Sequence, residues 1–459
     1  MAGCSLPVNR SAAQSPVAFP GAEGFGKYTT GGRGGKVMIV SNLDDNGPGS
    51  FRAAAEAKGK RIIVFSVSGT IRLKDKLTIK ADATIAGQTA PGDGICLADQ
   101  SVGLGGDNII VRYLRFRMGD RYQNQGMIDG AGADDAFGGN KRKNIIIDHC
   151  SISWSTDECF SVYGGDSTTL QWNLISEPLN YSYHFEAGDK DYEHHGYGGI
   201  WGGNHLSAHH NLFAHCVSRN PRFNGVRLGA TQELVDYRNN VIYNWGGNNV
   251  YGGEAGNYNI VNNYYKYGPS TNKSVRDRIV NPTRQASPLI DLGKFYVNGN
   301  FVDEAKDVSK NNWLGIHVSK DITEAEKRNA VTDKPFIVET IAAQSAEAAY
   351  AVVLEKVGCT LPVRDTLDQR IINDVKNRTG RFIDVQGNFP HGTAFEQTIN
   401  AWPALRSAPA LPDTDKDGMP DEWEKKKGLD PGNAADASAY TLDKSYTNIE
   451  VYINSLDKN

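Results

Sequence analysis

From about residue 60 to 270 one kind of segment keeps returning: a short β-branched run, a polar residue, then a second apolar run. Asn108-Ile109-Ile110-Val111 leads into Leu114, Asn144-Ile145-Ile146-Ile147 into Ile152, and Leu170-Gln171-Trp172-Asn173 into Leu174-Ile175. His209-His210-Asn211-Leu212-Phe213, Arg238-Asn239-Asn240-Val241-Ile242 and Val261-Asn262-Asn263-Tyr264-Tyr265 repeat the theme. With Cys150, Asn173, Asn211, Asn240 and Asn263 as equivalent positions, the period varies from roughly 23 to 38 residues, which suits a solenoid with loops of unequal length. Each unit is too short to bury its own apolar face, so the units must stack. Asparagines stacked at one corner would hydrogen-bond as a ladder along the axis and satisfy groups that the turn removes from strand pairing. The pattern therefore predicts an all-β chain wound as a right-handed parallel β-helix. A β-sandwich would instead need hairpin dipeptides between strands, and Asn224-Gly225 is the one candidate at a suitable place.

After residue 300 the texture changes. Residues 345–357 carry apolar positions at helical spacing behind an N-cap serine and ahead of Gly358, and residues 365–377 predict a second helix. Ala408-Pro409-Ala410-Leu411-Pro412 reads as a linker. The expected organisation is a lead over 1–17, a β-helix over 18–300, a helix and loop extension packed on it over 301–410, and a small module over 411–459.

That module has its own chemistry. Residues 413–424, Asp-Thr-Asp-Lys-Asp-Gly-Met-Pro-Asp-Glu-Trp-Glu, match an EF-hand loop position by position. Asp413, Asp415, Asp417 and Asp421 stand at loop positions 1, 3, 5 and 9, Gly418 takes the sharp turn, and Glu424 closes the loop with two oxygens, a donor set for Ca2+. A solvated acidic loop is the plainer alternative, and it leaves the glycine unexplained. Linker stands where an EF-hand has its entering helix, so the module is EF-hand-like and structural. A helix follows the loop and stops at Gly428, and Thr447 with Glu450 forms a capping box for a last helix.

Composition narrows the rest. The chain has 459 residues with 50 glycines against 5 methionines, which favours turn-rich β architecture over helix bundles. A formal net charge of -4 gives no reason to bind nucleic acid or an anionic membrane, so an anionic substrate must be held by local cations or a metal. No run of about 18 apolar residues exists to span a bilayer. Met1-Ala2-Gly3-Cys4-Ser5 resembles the stump of a bacterial lipoprotein signal, so the expected location is secreted, periplasmic or anchored at the outer membrane through Cys4. The other cysteines read as buried thiols, with a Cys150 to Cys159 bridge left open.

Three clusters in the solenoid carry candidate chemistry. Asp134-Asp135 precedes the Ile145 to Ile147 strand and Asp157-Glu158 follows it, so stacking about 4.8 Å apart brings both acidic pairs to one face. Converging carboxylates hold a divalent cation or split into an acid and a base; solvated loop acids are the alternative. Arg219 and Arg222 flank Pro221 as a rigid fork suited to carboxylates, though such pairs are also ordinary surface. Glu193-His194-His195 and Tyr197 to Trp201, interleaved with glycine, suit the wall of a sugar subsite, or simply a turn-rich loop. Zinc on His194 and His195 is a weak reading, because adjacent residues point different ways on an extended chain.

In order along the chain these residues resemble the pectate lyases of polysaccharide lyase family one. The likeness rests on Phe-Pro-Gly-Ala-Glu-Gly-Phe-Gly at 19–26, Gly-Gly-Arg-Gly-Gly at 31–35, Gly-Pro-Gly-Ser-Phe-Arg at 47–52 and Ala-Gly-Gln-Thr-Ala-Pro-Gly at 86–92, and runs from about 18 to 300. It implies a right-handed parallel β-helix, with Asp148-His149 as a structural element. It places calcium carboxylates on Asp135 and Asp157, with Asp134 and Glu158 beside them, while Ser161 occupies the place of a further aspartate. Arg219 is the implied base; Arg222 comes two positions before the family's second arginine, and Asn224 stands at that place. The family's substrate lysine has no counterpart, leaving His195 or His194 as local candidates, with Trp201 in the aromatic wall. The implied reaction is calcium-assisted β-elimination of polygalacturonate by a monomer. A polygalacturonase-type hydrolase using Asp134-Asp135, and a non-catalytic polysaccharide-binding β-helix, are the rival expectations.

Overall fold

β-branched runs are extended and cannot bury both faces alone, so each pairs with the equivalent run one coil away. The computed structural model describes residues 15–227 and 232–457. Its named strands pair in parallel and lie on three faces. The first face runs from Lys36–Val40 through Arg61–Phe65, Ala83–Ala86, Ile109–Arg112 and Lys143–Asp148 to Lys294–Asn298. The second is a nine-stranded sheet from Gly69–Arg72 to Phe301–Val302. The third runs from Leu77–Ile79 to Val280–Pro282, and the long strand Phe160–Gln171 joins it to the first. This is a parallel β-helix. The strand Arg222–Phe223, just before Asn224-Gly225, pairs in parallel on both sides, which removes the sandwich reading.

Register stacks like on like. Ile85, Val111, Ile147, Leu170, Ala208, Tyr237 and Ile260 form one buried column on the first face, and Leu97, Phe116, Ile152, Ile175, Phe213 and Ile242 form another on the second. At the corner between them the asparagine ladder forms. Nδ2 of Asn173, Asn211, Asn240 and Asn263 each donates to Oδ1 of the next asparagine at 2.9 to 3.0 Å, and the ladder continues through Asn300 to Asn312. Asn240 Oδ1 also accepts the backbone N–H of Asn211 at 3.0 Å. Asn240→Ala leaves the buried Asn211 N–H without a partner and takes one of its acceptors from Asn211 Nδ2, so urea unfolding is expected to show a loss of about 1–3 kcal/mol. A loss under 0.5 kcal/mol would mean that water replaces the amide.

Gly26, Gly32 and Gly35 have a steric cause. Their segment lies across the outside of the first face, where Gly26 and Thr169 are hydrogen-bonded. A Cβ on Gly26 would sit 2.5 Å from the Ile145 carbonyl oxygen, and one on Gly32 would overlap that of Arg61.

Helices Ala346–Lys356 and Thr366–Asn377 form with Ser345 and Asp365 as N-caps. They lay Val353, Leu354, Ile371 and Ile372 on Leu174, Leu212 and Val241, covering the outside of the second face. The C-terminal segment covers the outside of the first face instead, with Met419, Ile449 and Ile453 on Ile62 and Val64. Cys150 and Cys159 are free and buried, which corrects the open bridge: each is tucked in the solenoid interior, where burial pushes the Cys159 thiol up to about 12. Among the described residues no helix is long and apolar enough to cross a membrane. Cys4 lies outside the described residues.

Candidate active site

Successive coils bring the candidate chemistry to one edge of the third face. Phe137 pairs with Phe160, which sets the residues just before each strand side by side. Glu158 N donates to Asp135 Oδ1 at 3.2 Å, and Asp157 N to the Asp134 carbonyl at 3.1 Å. Glu158 then pairs in parallel with Tyr197, and Tyr197 with Ser218, so Arg219 follows two coils on. Arg219 meets the Glu158 carboxylate and stacks over the Tyr197 ring, 4.4 Å to its centroid.

Asp135, Asp157 and Glu158 each present an oxygen, all within 4.8 Å of one another. Burial and the neighbouring Asp157 charge hold Asp135 well above the ordinary aspartate value, while a Ser161 hydrogen bond and Arg219 pull the other way. Asp157 is also raised by burial, but His195, Arg219 and His184 outweigh this and leave it below the ordinary range. An all-oxygen group of crowded carboxylates fits a hard cation such as calcium. Ser161, where another carboxylate was expected, instead accepts the Ile200 N–H at 3.2 Å and supports Asp135.

The other predicted residues divide. Asp134 turns away to Lys76 and Gln123, the latter at 3.3 Å. His195 joins the site, its Nε2 2.7 Å from Asp157 Oδ1. His194 does not; its exposed ring lies flat on Tyr181, 4.4 Å between centroids. Arg222 is held by Glu254 at 2.7 Å. Two expectations are corrected. Trp201 is 0% exposed, because Ile200 faces outward and the strand alternation sends Trp201 inward beside Phe160, whose carbonyl it hydrogen-bonds at 2.8 Å. Asn224 is likewise buried and spends Nδ2 on the Gly225 carbonyl at 2.7 Å, so neither offers a surface to substrate.

Two residues near this edge carried no sequence signal. His184 stacks on His195 at 4.2 Å. Arg227 sits near Arg222 and Arg219, and burial together with these cations keeps it below the ordinary arginine value.

The C-terminal loop folds around its acids. Asp413 accepts from the N–H groups of Asp417 and Gly418 at 3.2 and 3.0 Å, and Gly418 turns at φ +93 against Val37 and Val64. Asp413, Asp415 and Asp417 converge, and Asp417 converges again with Glu424 and Asp436. Asp436 was missed, since it lies twelve residues beyond the motif's end. Asp421 is outside these groups; it accepts from Thr414 N and Oγ1 at 2.7 Å and clasps the loop. Buried oxygens of Asp415, Asp417, Glu424 and Asp436 lack hydrogen bonds, which fits a cation at their centre.

Burial and the surrounding carboxylates push Asp417 and Glu424 up to about 7 each. Carboxylates raised on folding hold extra protons in the folded state, so without a cation stability falls as pH climbs from about 4 through about 7. Thermal unfolding in chelator is therefore expected to show a lower Tm at pH 8 than at pH 5. Calcium at a hundredfold excess over its Kd should restore about 2.7 kcal/mol and flatten that slope. Equal Tm values with calcium and with chelator at pH 8 would remove the cation from this loop.

Fold and edge together define the class: a parallel β-helix enzyme whose cleft sets carboxylates against a guanidinium. Over 452 residues the chain is 36% identical to the probable pectate lyase C of Aspergillus flavus, covering 96% of this chain and 94% of the other. It is 33% identical over 472 residues to the probable pectate lyase C of Aspergillus fumigatus, covering 98% and 96%. The chain belongs to the pectate lyase family. No family model matches it. Among solved structures, the cedar pollen allergen jun a 1 overlaps with a TM-score of 0.47 at 18% identity, covering 74% of this chain and 93% of that one.

Proposed function

We propose that this polysaccharide lyase cleaves polygalacturonate by β-elimination at the edge carrying Asp135, Asp157, Glu158 and Arg219. What carries the reading is their stacking on neighbouring coils: the acids of two coils, then the Tyr197 ring, then Arg219. Calcium held by the three carboxylates would bind the uronate carboxylate and draw charge from the carbanion that forms beside it. Arg219, having first released a guanidinium proton to solvent, accepts the C5 proton, the electron pair forms the C4–C5 double bond, the 4-O bond breaks, and the leaving oxygen takes a proton from solvent, so that the guanidinium is restored. Arg222 lines the approach as a substrate contact, and Tyr197 fixes the Arg219 plane. The rim cations compensate a substrate that carries one negative charge per sugar.

Inverting hydrolysis is disfavoured. An inverting pair needs carboxylates about 6.5–9.5 Å apart to admit a water. The three cleft acids lie within 4.8 Å, and Asp134 is committed to Lys76. A polymeric substrate too large to enter a cell supports a location outside the cytoplasm. The deciding experiment follows ultraviolet absorbance of polygalacturonate with the protein, in calcium and then in chelator. A rise abolished by chelator is expected; new reducing ends without absorbance would establish hydrolysis instead.

A further inference from the structure

The irregular loop between the strands Leu174–Ser176 and Ile200–Gly203 carries His184 against His195. Their rings lie 17° from parallel, and both residues are buried. A carboxylate stands at each end of this pair. Glu193 Oε2 is 3.0 Å from Nδ1 of His184 and 3.1 Å from Nδ1 of His195. Asp157 presents Oδ1 at 2.7 Å from Nε2 of His195 and Oδ2 at 3.8 Å from Nε2 of His184.

The arrangement orients lone pairs. With each imidazole proton placed on Nδ1, the side of Glu193, each Nε2 lone pair is directed toward Asp157. Lone pairs against a carboxylate repel unless something positive lies between them. At 2.7 Å a shared hydrogen can bridge His195 to Asp157. At 3.8 Å no hydrogen bond spans the gap to His184, whose Nδ1 also lacks an aligned hydrogen bond although the residue is only 2% exposed. A metal ion bound at about 2.0–2.2 Å from nitrogen and oxygen spans such a gap.

We propose that Asp157, His184 and His195 form a site for a borderline divalent transition ion, Zn2+ or Co2+, with Glu193 orienting both imidazoles from behind. One nitrogen or oxygen atom of each of the three lies within 4.8 Å of the others, so modest closure completes the shell. Bringing the two lone pairs to one point requires the stacked rings to splay. The donor set differs in kind from the cleft acids: calcium selects oxygens, whereas imidazole nitrogens select zinc, cobalt and nickel. Asp157 is common to both groups, so an ion here competes with one on Asp135 and Glu158. The site is a point of transition-metal control over the cleft, and it stands whether or not the cleft reaction is elimination.

The test uses the full chain, stripped of metal by chelator and dialysed. Co2+ is titrated in while its visible ligand-field absorption is followed, with excess calcium present. The expected result is one equivalent of bound cobalt that calcium does not displace and that the tail variant Asp417→Asn retains. His184→Asn should abolish it, and Glu193→Gln should weaken it about 10–100-fold. Circular dichroism checks that each variant is folded, and the wild-type titration decides the matter even if a variant is not. Absence of cobalt bands in wild-type protein, complete displacement by calcium, or unchanged affinity in folded His184→Asn would each overturn the site.

Discussion

Arg219→Lys is expected to lower the rate of polygalacturonate cleavage by about 10²–10⁴-fold, the range a positioned general base contributes. The substitution keeps the charge and most of the length but loses the planar fork that lies on Tyr197 and meets Glu158. If Arg219 only held the uronate carboxylate, lysine would raise KM and leave kcat nearly intact. If it takes the proton, kcat falls at saturating substrate while KM moves little. At saturating calcium Tm should stay at its wild-type value, because the residue lies on the rim and is not part of the core. A kcat within threefold of wild type would remove Arg219 from the proton transfer and turn attention to Arg222 and Arg227.

How far the sequence carried this site depended on whether a position was repeated. The ladder asparagines recur at every turn of the same corner, so Asn173, Asn211, Asn240 and Asn263 announce both the coil and the corner. The acidic pairs read from sequence as lying on either side of the Ile145 to Ile147 strand; the structure sets each of them just before a strand of the third face, Phe137–Asn140 and Phe160–Gln171, whose register puts the two pairs side by side. Trp201 misled because its neighbours are glycines and histidines, a composition that suits a sugar wall. The strand alternation at Ile200 was the better guide, and it sends the indole inward. His184 and Asp436 were out of reach for another reason. Each arrives from an irregular connection with no periodicity, so only the folded path brings it to its partners. The glycine signature at 19–35 reads as a family mark; at Gly26, Gly32 and Gly35 its cause is close approach of one backbone to another.

Arg117→Met is expected to cost about 3–5 kcal/mol, the penalty for breaking a buried ion pair from one side. Strand alternation in Arg115–Arg117 turns Phe116 into the core and both arginines outward under the C-terminal extension. Arg117 reaches Asp365 at 2.8 Å and Asp368 at 2.9 Å, and all three are buried. Ser153 Oγ accepts a further bond from Arg117 at 2.8 Å, and Trp402 Nε1 donates to the Arg117 carbonyl at 2.9 Å. Asp365 is also the N-cap of helix Thr366–Asn377, so this cluster ties the first turn of that helix to the solenoid. Removing the guanidinium leaves two buried carboxylates facing each other with Arg115 as their nearest cation, 3.1 Å from Asp365. Urea unfolding of the variant should show the loss directly. The companion variant Arg117→Met with Asp368→Leu removes charge from both sides, and should recover at least half of it, since replacing a buried pair by apolar groups is far less costly than orphaning one member. Recovery would show that the cluster specifies where the extension docks more than it stabilises the fold. A double variant no better than Arg117→Met would mean that the hydrogen bonds to Ser153 and Ser151 carry the energy, with the charges secondary.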